Sequence, residues 1–309
     1  MIKRTLLFEN PVYLSLRDEQ LIIRLPEIEK NKDLPQSLKN VSFEPIPIED
    51  IGLLVLDNKQ ITLTQGVCQK LMYHNVAMLW CDTSHHPQAL TLPLAENDTF
   101  AEKIRFQLEA SEPLKKQLWK QTIEAKINNQ AKNLELFGYL PKTLLQMAKK
   151  VNSGDPENLE GQAAARYWAA MLLPYNTTRG REEAPPNNML NYGYAILRAC
   201  VARSLVASGC LPVMGIHHRN KYNAYCLADD IMEPYRVYVD RAVFGYIQEF
   251  GLPTENLNKE QKKLMLEVLT HDVLIDGRTS PLMVATQRTT ASLMRCFKGE
   301  TRKILYPIF

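Results

Sequence analysis

With 309 residues, 45% of them hydrophobic, the chain has material for one large domain or two ordinary ones. A formal net charge of +3 is too small to imply nucleic acid by itself, and no uninterrupted apolar run is long enough to span a bilayer. The six cysteines are scattered without a CxxC pair and no hydrophobic leader opens the sequence, so reduced thiols in a soluble, cytoplasmic protein with no membrane partner are expected.

The first 80 or so residues read as strands. Thr5–Phe8, Val12–Leu16 and Leu21–Leu25 are short β-rich runs, with Arg17-Asp18-Glu19-Gln20 as the turn between the last two. Residues 26–47 carry Pro26, Pro35, Pro45 and Pro47 and read as a loop with edge pairing. Ile51–Leu56 is a further strand that stops at Asp57-Asn58; a short helix is expected after Thr64, and Val76–Cys81 reads as a buried last strand. A linker is expected over 85–98, where the pattern is aperiodic.

Beyond it the signal turns helical. Leu114, Leu118, Thr122, Ile123, Ile127, Ala131 and Leu134 recur at three- and four-residue steps. Asp155-Pro156-Glu157 predicts a helix start, with Asp155 as N-cap and Pro156 at the first helical position. Asn188–Ser208 predicts another helix, closed by Gly209. The expected fold class is α+β: a small β-sandwich-like domain over 1–84, then a larger all-α domain over 99–309.

Three acidic and histidine segments stand out, around Glu160, His217-His218 and Asp229-Asp230-Ile231-Met232-Glu233. Carboxylates and one imidazole suit Mn²⁺, Mg²⁺ or catalytic Zn²⁺, and hard ions held this way serve phosphodiester chemistry. Glu160 also reads as a plain first-turn acid favoured by the helix dipole. The apolar approach Leu211–Ile216 would bury at least one of the two imidazoles, and tandem histidines point apart, so at most one faces a site. Asp229, Asp230 and Glu233 crowd one helix side, a repulsion that a cation would relieve, and Arg236 follows on the same side, where it could meet a phosphate. Two stretches are basic: Lys103–Lys132, and Arg278–Lys303 with Arg278, Arg288, Arg295 and Lys298. Each fits either a solvated face or a phosphate-tracking one.

These segments, together with Lys3-Arg4-Thr5-Leu6, Glu49–Gly52, Leu63-Thr64-Gln65, Trp119, Lys126–Ala131, Asn188–Tyr194, Gly215–Asn220, Leu227–Arg236 and Ser280-Pro281-Leu282, resemble the CRISPR-associated spacer integrases of type II systems over essentially the whole chain. The resemblance implies Glu160, His218 and Glu233 as metal ligands and catalytic residues, with Mg²⁺ or Mn²⁺ as cofactor. His218 is preferred over His217 because the family's ligand is the third residue after the glycine, here Gly215. His217, Asn220, Asp230, Tyr192 and Arg236 are implied as orienting or phosphate-contacting groups, and Arg278, Arg288, Arg295 and Lys298 as DNA contacts.

The activity so implied is DNA transesterification. A 3′-hydroxyl of a captured double-stranded prespacer attacks a phosphodiester at the edge of a CRISPR repeat; with water as nucleophile the same site is an endonuclease. The implied assembly is a homodimer through the β-domain, two such dimers flanking a small dimeric adaptation subunit in a heterohexamer-like complex. Two other classes stay open on the residues: a stand-alone metal-dependent nuclease, and a DNA-binding scaffold without chemistry.

Overall fold

The structure, a computed structural model, describes residues 3–26, 45–93, 99–180 and 184–309. Its chain divides into two compact units, Met1–Glu96 and Asn97–Phe309.

The first unit is built on two four-stranded sheets. One orders β1 (Arg4–Phe8), β5 (Ile51–Leu56), β7 (Ala77–Cys81) and β8 (Pro87–Thr91), the first three parallel and β8 antiparallel to β7. The other orders β4 (Ile46–Pro47), β3 (Gln20–Arg24), β2 (Tyr13–Arg17) and β6 (Thr62–Leu63). β2 and β3 form a hairpin whose turn residues Asp18 and Glu19 both have positive φ, as the turn geometry that matches strand twist requires. Every residue of β5 is buried, which is why it reads as an unbroken apolar run rather than an alternating one. Helix α1 (Gln65–Tyr73), capped by Thr64, adds Val67 and Leu71 to a core shared by Leu14 and Leu21 of one sheet and Ile51, Leu54 and Met78 of the other.

Strand β8 occupies part of the span read as a linker. The proline-rich segment lies mostly outside the described residues, but its end pairs at the sheet edge through Ile46 and Pro47.

The second unit is helical: α2 (Phe100–Glu109), α3 (Glu112–Leu136), α4 (Lys142–Ala148), α5 (Leu159–Leu172), α6 (Asn187–Ala207), α7 (Cys226–Met232), α8 (Arg236–Phe250), α9 (Lys259–Glu267) and α10 (Leu282–Phe297). Helix α6 is buried along nearly its whole length because α7, α8, α9 and α10 all pack against it. Helix α3 packs on α4, α5, α8 and the short 3₁₀ turn Glu233–Tyr235. The unit is not wholly α: β9 (Asp272–Ile275) and β10 (Arg278–Pro281) form a hairpin around Asp276-Gly277, both at positive φ. No helix among the described residues is long and apolar enough to cross a membrane.

Candidate active site

Glu160 sits in the first turn of α5, and that turn starts later than the sequence predicts. Asp155 and Asn158 both adopt left-handed backbone, so the segment Asp155–Asn158 is a turn and the helix opens at Leu159. Asp155 still caps it from a distance: Leu159 and Glu160 donate their N–H groups to its carboxylate at 2.8 and 2.9 Å. Asn158 is the N-cap proper, accepting from Gly161 N. A Cβ on Gly161 would lie 2.8 Å from the Asn158 carboxamide, so the close approach that demands glycine comes from the cap and not from another element.

His218 is held by Asp230. The Asp230 carboxylate is fully buried and accepts the N–H groups of Ile216 (2.7 Å), His217 (2.9 Å) and His218 (3.2 Å), and it lies 2.5 Å from His218 Nδ1. With Nδ1–H donated to Asp230, Nε2 is left with a free lone pair, the arrangement that fixes an imidazole as a metal ligand or proton acceptor. Gly215 is required here, since a Cβ would meet His218 O at 2.4 Å and Asp230 Oδ2 at 2.8 Å. Both imidazoles stay on the surface, contrary to the burial expected from the apolar approach, because that segment runs over the exterior and leaves Val213 and Met214 exposed. His217 stacks on the buried ring of Trp119 with centroids 4.1 Å apart, and His218 meets the same ring edge-on. Asp230 draws the His218 pKa up, against partial burial. His217 is drawn down by partial burial and by His218.

Glu233 opens the 3₁₀ turn that Pro234 imposes between α7 and α8. Asn129 of α3 anchors that turn by donating to Pro234 O at 2.9 Å. The Glu233 carboxylate is buried beside Lys126 Nζ (2.6 Å) and Arg236 Nε (3.1 Å). Burial alone would raise its pKa, but Arg236 and Lys126 outweigh that and hold it at about 2.

Lys126 is where the carboxylates meet. The residue is only 6% exposed, and its ammonium pairs with Glu160 as well as Glu233. Burial pulls the lysine pKa down, yet the two acids outweigh it and keep the group charged. The crowding argument for a cation at Asp229, Asp230 and Glu233 does not hold, because each acid has its own partners. Asp229 takes Arg198 and Asn223, Asp230 the backbone of 216–218, and Glu233 Lys126 and Arg236.

Glu160, Ala164, Trp168, Glu233 and Lys126 line a cavity of about 330 Å³, with Gln130, Arg179, Tyr194, Arg236 and Asp240 on its other walls. Two guanidinium groups lie over the Tyr194 ring, Arg179 at 5.3 Å and Arg236 at 4.9 Å from its centroid. Behind it, Tyr194 and Tyr167 donate their hydroxyls to the buried Asp240 carboxylate, whose pKa burial raises to about 6.

Among the described residues, no three His, Cys, Asp or Glu side chains converge as a metal cluster. The donor set still suits a hard cation. Two carboxylates already enclose an ammonium as a stand-in, and Glu233 Oε2 is buried close to it without a directed hydrogen bond.

A family profile described as "CRISPR associated protein Cas1" matches residues 5–276. The chain belongs to the Cas1 family. It is 34% identical over 294 residues to a "CRISPR-associated endonuclease Cas1" of Neisseria meningitidis, covering 94% of this chain and 91% of that protein. In fold it is similar to a casposase solved bound to its integration product, at TM-score 0.77 and 20% identity, covering 98% and 92% of the two chains. It is also similar to part of a Cas6-RT-Cas1–Cas2 complex, at TM-score 0.70 and 19% identity, covering 97% of this chain and 35% of that one.

The cavity lining and the residues singled out from the sequence overlap only in part. Asn220 serves a turn, accepting from Tyr222 N. Tyr192 is buried in the core of α6, and it is Tyr194, two residues on, that lines the cavity. Lys126, Arg179, Tyr194 and Asp240 carry no role in the sequence reading. A lysine in a basic helix and a tyrosine in an apolar one give no signal of what they face. Arg288, Arg295 and Lys298 line a separate groove of about 510 Å³ with Lys103, whereas Arg278 does not. Arg288 is partly engaged there, donating to Ile275 O and Asp276.

Proposed function

We propose that this Cas1-family chain is a divalent-metal-dependent DNA integrase and endonuclease that inserts new spacers into a CRISPR array by transesterification. The observation that carries the reading is the meeting of Glu160 and Glu233 on one cation, beside a cavity whose other walls carry Arg179 and Arg236. Glu160, His218 and Glu233 would hold Mg²⁺ or Mn²⁺, which when bound supplies Lewis-acid polarisation of the phosphoryl oxygen and stabilises the leaving 3′-oxygen.

The chain's own groups supply the rest. Asp230 sets the His218 tautomer so that Nε2 faces outward as a ligand. Arg236 and Arg179 present guanidinium groups to phosphate oxygens at the cavity, and Lys103, Arg295 and Lys298 form a groove in which a DNA backbone can lie. One phosphodiester forms as another breaks, with the attacking hydroxyl's proton passing to the departing 3′-oxygen or solvent, so no nucleotide hydrolysis is needed.

Two cuts on opposite strands of one repeat need two such sites. A homodimer through the N-terminal unit, working with a small dimeric adaptation subunit, meets that need; the fold likeness to part of a Cas6-RT-Cas1–Cas2 complex supports the pairing with such a subunit.

A labelled DNA fragment incubated with a supercoiled repeat plasmid, the adaptation subunit and Mn²⁺ should yield joined product. Fragments without joining would identify a nuclease only; neither product would identify a scaffold. Glu160→Ala and His218→Ala should each lower joining by about 100-fold or more while leaving DNA affinity within a few-fold. Wild-type joining by either variant would overturn the assignment.

A further inference from the structure

Lys126 bears on how the site is filled. The charges already balance locally: two carboxylates, buried Glu233 and half-buried Glu160, face two cations, Lys126 and Arg236. A divalent ion added to this set would place its charge against two nearby cations, one of which, Lys126, is buried where water screens little. It would also need the carboxylate oxygens against which Lys126 Nζ lies, since metal–oxygen bonds near 2.1 Å are shorter than the Nζ–O contact of 2.6 Å to Glu233 and leave no room for both. Ion and ammonium compete for the same oxygens.

The lysine has somewhere to go. Its four-carbon stem lets Nζ swing while its Cα stays fixed in α3, and it lines the 330 Å³ cavity in front of the acids. The other carboxylate there, Asp240, is already taken by the Tyr167 and Tyr194 hydroxyls. A displaced ammonium therefore needs an anion from outside, and Arg236 on the same cavity wall would meet the same phosphate, Arg179 being partly engaged by Asn187 and Asn191.

We infer that Lys126 is an internal counter-ion which a divalent cation must displace, and that the displaced ammonium then contacts the DNA phosphate, coupling metal and DNA binding. This rests on the reading that Glu160 and Glu233 hold the ion. Such coupling is reciprocal: whatever factor the metal adds to DNA affinity, DNA adds to metal affinity.

The test is Mn²⁺ titration of the full chain, followed by electron paramagnetic resonance of the free ion, and DNA affinity by fluorescence anisotropy with and without Mn²⁺. Lys126→Met should bind Mn²⁺ about tenfold tighter or more than wild type in the absence of DNA, because no ammonium has to leave. Wild type should bind a short duplex several-fold tighter once Mn²⁺ is present, and Lys126→Met should lose that gain. Glu160→Gln separates the two layers. If it binds Mn²⁺ as wild type does, the reading of the acids as ligands fails. If it loses Mn²⁺ while Lys126→Met binds no tighter than wild type, only the counter-ion inference fails. An equal Mn²⁺-dependent gain in wild type and Lys126→Met overturns the phosphate contact. Should Lys126→Met not fold, Lys126→Gln, which keeps a donor without a charge, carries the same expectations.

Discussion

Asp230 shows how much of this candidate site depends on a residue buried behind the side chains that face outward. One carboxylate gathers three successive main-chain N–H groups and an imidazole, and so fixes both the path of residues 216–218 and the face His218 presents. Asp230→Asn keeps the shape but replaces one acceptor oxygen with a donor that faces N–H groups. A loss of about 1–3 kcal/mol in urea unfolding is expected, the range for buried hydrogen bonds to a charged group. In the metal-free protein the His218 pKa should also fall, because Asp230 is what raises it. The sign follows from linkage: a raised imidazole pKa stabilises the fold fully below the ordinary value and ceases to do so as pH rises through the folded one. The stability gap between wild type and variant should therefore be wider in acid than at neutral pH. NMR titration of the imidazole checks the cause; an unshifted His218 in the variant would contradict it. Asp230 was visible in the sequence as an acid beside candidate ligands, but the wrong physics was attached to it. Like-charge crowding suggested a shared cation, whereas the fold separates the acids by giving each its own donors.

At the scale of elements, the start of α5 tests whether the cap explains the glycine. Gly161 lies against the Asn158 carboxamide, so Gly161→Ala must push the cap aside, at a cost of about 1 kcal/mol. In an Asn158→Gly background the obstruction is gone and glycine suits the left-handed backbone at 158. There the same Gly161→Ala change should stabilise by about 1 kcal/mol, the ordinary helical preference for alanine. Urea unfolding of the four proteins measures this reversal of sign, and additive effects would rule it out. The predicted start at Asp155 follows the rule of an acid before a proline. What the sequence does not show is that Asp155 and Asn158 take left-handed backbone, which turns the chain before the helix begins. The hairpin β9–β10 lies outside the all-α expectation for this unit, because strands of four residues within a helical neighbourhood carry too short a pattern to register. Strand β8, with proline, glutamine and alanine among its five residues, lacks the continuous apolar run that marks β5 and β7 of the same sheet. Long or strongly patterned elements are readable: α3 because one face is buried and the other polar, α6 and the all-apolar β5 because nearly every residue is buried.

At the scale of the whole helical unit, four helices are tied together by one buried acid. Asn133 of α3 donates to the Tyr167 hydroxyl of α5 at 2.7 Å, and Tyr167 donates to Asp240 of α8 at 2.9 Å. Tyr194 of α6 donates to the other Asp240 oxygen. Burial raises the Asp240 pKa from the ordinary 3.8 to about 6, even though both tyrosines and the two arginines oppose the rise. Between those values the folded chain holds a proton that the unfolded chain has released. Stability must then fall as pH rises through that window, and this one group contributes a decline of about 3 kcal/mol for a shift of about two units. Above pH 6 the ionised form is retained at a cost, which the tyrosine hydroxyls limit. Asp240→Asn cannot titrate, so the wild-type minus variant stability, measured by urea unfolding of metal-free protein between pH 4 and 7, should decline across this range and level off beyond it. The other carboxyls titrate in both proteins and cancel in the difference. Parallel profiles would mean that Asp240 is already ionised at pH 4, and that its three neighbouring helices are joined around a permanent charge.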